Sequence, residues 1–174
     1  LFLKIGLLDF SKKKLRNDKW HVVALGIKAL TLFKVESEYN EVMKHVNHER
    51  IEVRREAQLY FVNLFEFKGL DFLNEIKVSL SEWDQIQLLD VLHRFEDQKI
   101  KGVGKWLKST NNSVVLFALK LCSIYNLLEL KEILLELLSH ENEEVKVQTI
   151  KVLSDFQISE AKDILKKKYE EISL

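Results

Sequence analysis

The sequence predicts an all-α fold, an α-solenoid of about five repeats that each contain two helices. Two observations support this prediction. The 174 residues include no proline and only five glycines, the residues that most often interrupt helices. An apolar pattern also recurs at intervals of 31, 31, 30 and 31 residues, with its first positions, the repeat anchors, at Val22, Val53, Asp84, Val114 and Val145. A fixed period of this length is typical of repeats that bury their apolar faces against their neighbours.

The first helix of each repeat, helix A, begins near its anchor. Apolar or small residues recur at offsets 0, 4, 8 and 11 from the anchor, a spacing that follows one face of an α-helix. Helices A are therefore predicted over residues 19–34, 51–66, 82–95, 113–126 and 143–156. Residues able to accept hydrogen bonds from free helix amides precede four of them: Asn17 or Asp18, Ser81, Asn112 or Ser113, and Asn142. Ser81 and Asp84 are predicted to form a capping box.

A second amphipathic helix, helix B, is predicted after each helix A. The predicted ranges are 37–47, 69–80, 97–109, 128–139 and 159–171, with Ser37 and Ser159 as caps. The inward stripes are predicted to include Val42 and Val46, Leu73 and Ile76, Val103 and Leu107, Leu134 and Leu138, and Ile164 and Leu165. Short connections between helices A and B make each repeat an αα-hairpin.

Three polar turns carry a motif. They read Asn47-His-Glu-Arg-Ile-Glu-Val53-Arg54-Arg55-Glu-Ala57, Ser139-His-Glu-Asn-Glu-Glu-Val145-Lys146, and Thr110-Asn-Asn-Ser-Val114 with Ala118. This combination resembles the short form of the HEAT repeat, and the resemblance covers residues 19–174. It implies a right-handed α-α superhelix and carries no information about activity. Because only the second repeat has Arg after the anchor Val, we expect the family's inter-repeat ladder of charged side chains to be incomplete.

Charge and cysteine content narrow the range of partners. The 27 basic and 27 acidic residues cancel, which argues against nucleic acid as the partner. The distribution is uneven, since residues 1–21 carry six basic and two acidic groups whereas residues 114–144 carry two basic and six acidic ones. The single cysteine, Cys122, allows no disulfide within the chain, so a reducing compartment, the cytoplasm, is predicted.

Residues 1–18 form a separate apolar and basic segment. Its apolar start is followed by Lys12, Lys13, Lys14 and Arg16, a pattern that fits either the cytoplasmic edge of a membrane anchor or a helix that caps the first repeat. We favour the cap because Lys4 and Asp9 interrupt the apolar run. The first residue is Leu1 rather than Met, so we expect a fragment of a longer protein and, in the anchor alternative, the soluble domain of a membrane-anchored one.

No residue pattern predicts a catalytic centre, a metal site or a cofactor. His45 and His48 lie three residues apart near Glu41 and Glu49, which permits a metal, but His48 and His140 each lie five residues before an anchor. We therefore favour equivalent turn positions near helix C-termini, where a cation interacts well with the dipole. Cys122 is predicted to be a buried, unreactive thiol. The segment from Gly102 to Lys105 lacks the spacing of a phosphate-binding loop.

The third repeat carries the candidate binding site. It contains Trp83 and Trp106, and the second of these lies among lysines. An exposed Trp106 flanked by Lys99, Lys101, Lys105 and Lys108 would suit an acidic partner. The alternative is that Trp106 fills space between repeats, and for Trp83 we favour that alternative.

The predicted function is a non-enzymatic protein–protein interaction scaffold that binds its partner on the concave side lined by helices B. Some HEAT-like proteins, including alkylation-repair glycosylases, grip the backbone of nucleic acids. This alternative needs a basic concave face, which the net charge and the acidic fourth repeat disfavour. The resemblance also extends to lyases that attach chromophores to phycobiliproteins, and an enzyme of that class is the least favoured alternative. The oligomeric state and the partner's identity stay open.

Overall fold

Helices make up every regular element in the computed structural model, which describes residues 7–95 and 100–158. The all-α prediction is therefore confirmed for these residues. The chain divides into two compact units, Leu1–Lys101 and Gly102–Leu174. The first unit contains α1 (Leu7–Leu15), α2 (Trp20–Leu32), α3 (Tyr39–Met43), α4 (Ile51–Phe65) and α5 (Glu82–Leu92). The second contains α6 (Val103–Trp106), α7 (Asn112–Ile124), α8 (Lys131–Leu137) and α9 (Glu143–Asp155).

The predicted helices A correspond to α2, α4, α5, α7 and α9, and each begins within one residue of the predicted start. Offsets 4 and 8 are buried in all of them: Gly26, Ala57, Leu88, Ala118 and Thr149, then Leu30, Phe61, Leu92, Cys122 and Leu153. The anchors are buried too, except in α2, where Val23 takes the inward position and Val22 is half-buried. The repeating pattern therefore identifies the core of each unit.

Offset 11 was predicted to belong to the same face, and this is wrong. Phe33 is 46% exposed, and its equivalents are half-buried. The reason is that α2, α7 and α9 end at offset 10, and the residue at offset 12 has a positive φ: 52° at Lys34, 49° at Asn126 and 55° at Gln157. The next amide then donates back to the carbonyl at offset 8, as in a Schellman motif: Val35 to Leu30 at 2.9 Å, Leu127 to Cys122 at 3.1 Å and Ile158 to Leu153 at 3.1 Å.

A common hydrogen bond opens α2, α4, α7 and α9. In each, the N-cap amide donates to the side chain two residues earlier: Lys19 to Asn17 Oδ1 (2.9 Å), Arg50 to His48 Nδ1 (3.0 Å), Asn111 to Ser109 Oγ (3.1 Å) and Asn142 to His140 Nδ1 (3.0 Å). The N-cap of α7 is thus Asn111, not the predicted Asn112 or Ser113. Asn142 caps α9 as predicted, and Ser81 and Asp84 form the predicted capping box at α5.

The predicted helices B are shorter than expected and partly 3₁₀ in form. They consist of a 3₁₀ turn Glu36–Glu38 with α3, a 3₁₀ stretch Glu66–Asn74, α6, and a 3₁₀ turn Leu128–Leu130 with α8. We call these four pieces the B segments. The apolar residues predicted to face inward in the first four helices B are nevertheless all buried: Val42, Val46, Leu73, Ile76, Val103, Leu107, Leu134 and Leu138. Ser37 makes no capping bond. The fifth helix B, with Ser159, Ile164 and Leu165, lies outside the described residues.

The 3₁₀ stretch after α4 is held in place by a close backbone contact. A Cβ atom added to Gly69 would lie 2.2 Å from the carbonyl oxygen of Phe61, so only glycine fits there. This contact places Phe72 against Phe61, with ring centroids 6.1 Å apart. Further along the chain, the side-chain oxygen Oδ1 of Asn47 accepts a hydrogen bond from the backbone N–H of Lys77 at 2.6 Å. The side-chain Nδ2 of Asn47 donates to the backbone carbonyl of Glu75 at 2.7 Å. These bonds anchor a non-helical part of the predicted second helix B.

The N-terminal helix α1 packs against α2. Leu15 is buried, and a Cβ atom at Gly26 would lie 2.8 Å from the Cβ of Lys14. Lys12 Nζ lies 2.8 Å from Glu38 Oε1 and Arg16 lies 3.8 Å from Glu41, so two of the basic residues pair within the unit. No helix in the described ranges has the length and apolar character that crossing a bilayer requires. Residues 1–6 of the predicted cap lie outside the described residues.

We expect Lys34→Gly to raise the free energy of unfolding by about 0.5–1 kcal/mol, because a left-handed backbone is costly for a residue with a Cβ atom and free of strain for glycine. Urea unfolding followed by circular dichroism measures the change. Lys34→Ala is the matched control, since it keeps the Cβ atom and should bring no gain. Equal stabilisation by both substitutions would contradict the backbone explanation.

Candidate protein-binding surface

The predicted site around Trp106 is not an exposed hot spot, because the Trp106 side chain is only 1% exposed. The sequence suggested that Val103 and Leu107 supply the inward stripe by themselves. In a short helix, however, residues three and four positions apart share one face, so Trp106 points inward with them. Gly102, the N-cap residue that precedes α6, has a φ of 92°, and a Cβ atom there would lie 3.2 Å from the indole ring. Trp106 is thus a packing residue of the second unit.

The lysines of the predicted site keep their exposure. Lys105 and Lys108 lie on the solvent side of the segment around α6, and Lys101 is exposed at the end of the first unit. Lys108 Nζ lies 3.3 Å from Glu136 Oε2, and both side chains are more than half exposed. Such a pair contributes little to stability. Lys99 lies outside the described residues.

The exposed sides of the B segments in the second unit carry opposite charges. The segment around α6 presents Lys105 and Lys108, whereas the following B segment presents Glu129, Glu132 and Glu136. Behind them, Gly104 approaches Ile133 and Leu130, since an added Cβ atom would lie 3.2 Å and 3.3 Å from their methyl groups. Gly104 therefore allows close packing between the two B segments of the second unit, and the exposed sides of these two segments form one charged surface. We call these five charged residues the B surface.

Trp83 is exposed, although the sequence favours a position in which it fills space between repeats. Its side chain is 57% exposed at the start of α5, and Ile86, one turn later, is 53% exposed. The same offset holds exposed polar residues in three other helices A, namely His21, Glu52 and Glu144, whereas Ser113 at that offset in α7 is buried. The repeat register alone therefore does not identify the exposure of Trp83. Trp83 and Ile86 together form an exposed apolar pair.

The anchor Asp84 has a structural role that its carboxylate fulfils with two neighbours. Arg55 Nε of α4 donates to Asp84 Oδ1 at 2.8 Å, and the Ser81 hydroxyl and amide donate to Oδ2 at 2.5 and 3.3 Å. The carboxylate is buried and satisfied, which explains how an acidic residue replaces the Val of other repeats. The contact joins consecutive helices A, so one rung of a charged ladder does exist between α4 and α5.

The histidines are placed as turn residues. His48 and His140 each accept a backbone amide through Nδ1, which confirms their equivalence. Among the described residues, no three His, Cys, Asp or Glu side chains are grouped so as to hold a metal ion.

Cys122 is completely buried in α7, and burial, with the nearby charge of Glu129, raises the pKa of its thiol to about 12. The thiolate, which is the nucleophilic form, is therefore strongly disfavoured at neutral pH. Cys122 is a small apolar core residue at offset 8, as the sequence predicts.

No protein-family model matches the chain, and the comparison with curated proteins finds no match. The site must therefore be interpreted from its own geometry.

We expect the two tryptophans to differ sharply in their contribution to stability. Trp106→Ala leaves a cavity in the second unit and should lower the free energy of unfolding by about 3–5 kcal/mol. Trp83→Ala removes an exposed ring and should change it by no more than about 0.5 kcal/mol. Chemical unfolding followed by circular dichroism compares them. A loss at Trp83 as large as that at Trp106 would contradict the burial described here.

His45 should make stability depend on pH. Burial lowers its pKa, and His48, whose ring centroid lies 5.9 Å away, lowers it further. The fold therefore favours the neutral imidazole, so this stabilisation is complete above the unfolded pKa of about 6.5 and declines as the pH falls towards the lower folded value. The free energy of unfolding should decrease between about pH 6.5 and 5. In His45→Gln this decrease should be smaller, whereas exposed His93→Gln, the control, should retain it. An unchanged slope in His45→Gln would contradict the assignment.

Proposed function

We propose that this chain is a non-enzymatic protein-binding scaffold of HEAT-like repeats, stacked as a right-handed superhelix, that binds its partner on the side formed by the B segments. The observation that supports this most is the B surface. Each B segment buries an apolar stripe, while the exposed side in the second unit presents two lysines beside three glutamates. A partner with the reverse order of charges would be complementary to it.

The charges of the B surface contribute little to the fold itself. The helices are stabilised mainly by the buried side chains at the repeat offsets. An exposed ion pair such as Lys108–Glu136 adds at most about 1 kcal/mol to the free energy of unfolding. Charges in this position chiefly govern the rate and selectivity of association, because complementary potentials steer partners together and like charges repel the wrong ones. The proposed partner therefore carries an acidic stretch for Lys105 and Lys108 and a basic stretch for Glu129 and Glu132.

The proposal includes a reducing compartment, the cytoplasm. A single buried thiol supports it, since no disulfide can form within the chain.

A second surface competes for the same function. Trp83 and Ile86 form an exposed apolar pair on a helix A, and exposed tryptophans are common at the energetic centres of interfaces. Binding of a partner there would agree with the proposed interaction function but would place the binding site on the helices A, which we call the A side. The two surfaces can be distinguished because they share no residue.

Affinity capture from the native lysate, quantified by mass spectrometry, tests the proposal with three single variants. Lys105→Glu reverses a charge on the B surface, Lys28→Glu makes the same change at an exposed position of α2, and Trp83→Ala removes the apolar pair. We expect a specific partner that is retained by wild type, Lys28→Glu and Trp83→Ala and lost with Lys105→Glu. Thermal melts check that all variants fold.

A partner that is lost only with Trp83→Ala would move the binding site to the A side and contradict the B surface. A partner unaffected by all three variants would contradict both surfaces. Recovery of nucleic acid instead of protein, sensitive to nuclease, would contradict the function itself.

A further inference from the structure

Within residues 7–95 and 100–158, one stripe of α9 is exposed and has the residue spacing of stripes that join helices. Glu143, Val147, Ile150 and Ser154 follow one another at intervals of four, three and four residues, and all four are exposed. This spacing brings them onto one stripe of the helix. At its centre, Val147 is 50% exposed and Ile150 is 38% exposed. We call this stripe the α9 seam.

The same offsets lie at contacts between consecutive helices A in both units. In α7 they hold Leu116, half-buried, Leu119, buried, and Ser123, whose hydroxyl donates to Asp155 of α9 at 3.2 Å. In α4 they include Arg55, which binds Asp84 of α5. The α9 seam is therefore the face that a helix A of this chain uses to pack against another helix.

We propose that a second copy of the chain occupies the α9 seam, with the two α9 helices antiparallel about a two-fold axis. In this arrangement Val147 of each copy packs on Ile150 of the other, so that the apolar centre of the seam is covered by its own complement. A two-fold contact is isologous and closes the assembly at a dimer.

The charges beside the seam select this orientation. Glu144 and Lys151 are exposed and lie seven residues apart, two turns of helix, on the same side of the stripe. When two helices run antiparallel about a centre between Val147 and Ile150, Glu144 of each copy faces Lys151 of the other. When they run parallel about a two-fold axis, Glu144 and Lys151 of the two copies lie on opposite sides of the contact, so this attraction is absent. Glu143, at the seam's end, pairs with Lys146 of its own helix and leaves the centre to the apolar pair.

Sedimentation equilibrium of the full chain over a wide concentration range tests the proposal. We expect a monomer–dimer equilibrium for the wild type and a monomer for Ile150→Asp. Glu144→Lys and Lys151→Glu should each raise the dimer dissociation constant about tenfold, because each replaces attraction by repulsion at two symmetric places. The double variant should restore the wild-type constant. Glu52→Lys, an exposed glutamate at the same repeat offset in α4, is the matched control and should leave it unchanged.

Three results would overturn the proposal. The first is a wild type that stays monomeric at the highest concentration, which would assign the seam to a different protein or to none. The second is a dimer that persists in Ile150→Asp, which would place the contact elsewhere. The third is a charge-swapped double variant as weak as the single ones, which would exclude the antiparallel pairing. Circular dichroism melts of every variant confirm that a loss of dimer reflects the seam and not the fold.

Discussion

Both units depend on the burial of three positions in each helix A. These lie at the anchor and four and eight residues beyond it, except in α2, where Val23 takes the place of the half-buried anchor Val22. In α7 these are Val114, Ala118 and Cys122, all without exposure. The middle position is small in most repeats, which allows another element to approach closely, as α1 approaches Gly26. Large side chains such as Phe61 then fill the next layer. This constraint explains why the Cys122 thiol is unreactive, because burial among packed side chains raises its pKa and disfavours the thiolate.

The ends of the helices are fixed as regularly as their cores. A side-chain acceptor two residues before the N-cap opens α2, α4, α7 and α9, and asparagine, serine and histidine all satisfy that one geometric need. A Schellman motif closes α2, α7 and α9 with residues other than glycine in the left-handed position. Together these devices set the length of α2, α7 and α9.

The third repeat shows how a departure from the pattern is accommodated. Asp84 replaces an apolar anchor, and Arg55 and Ser81 supply the hydrogen bonds that a buried carboxylate requires. The same repeat places Trp83 in solvent and Trp106 in the core. Trp83 lies on α5 of the first unit and Lys105 on α6 of the second, so the exposed apolar group and the exposed charge belong to different helices. That separation is the physical basis for choosing between the A side and the B surface.

The sequence by itself determined the helix class, the starts of the helices A to within one residue and the burial of offsets 4 and 8, because the periodicity of apolar side chains and the chemistry of caps act locally. It also located Cys122 and the equivalent histidines. Only the tertiary structure decided which tryptophan is buried, since Trp106 shares a buried face with Val103 and Leu107 whereas Trp83 is 57% exposed on α5. The apolar pattern likewise did not predict that Glu66–Asn74 is a 3₁₀ helix, because this form follows from the contact of Gly69 with the backbone of α4. The exposure of a side chain and its tertiary contacts depend on residues that are distant in the chain. A local sequence pattern therefore does not predict them.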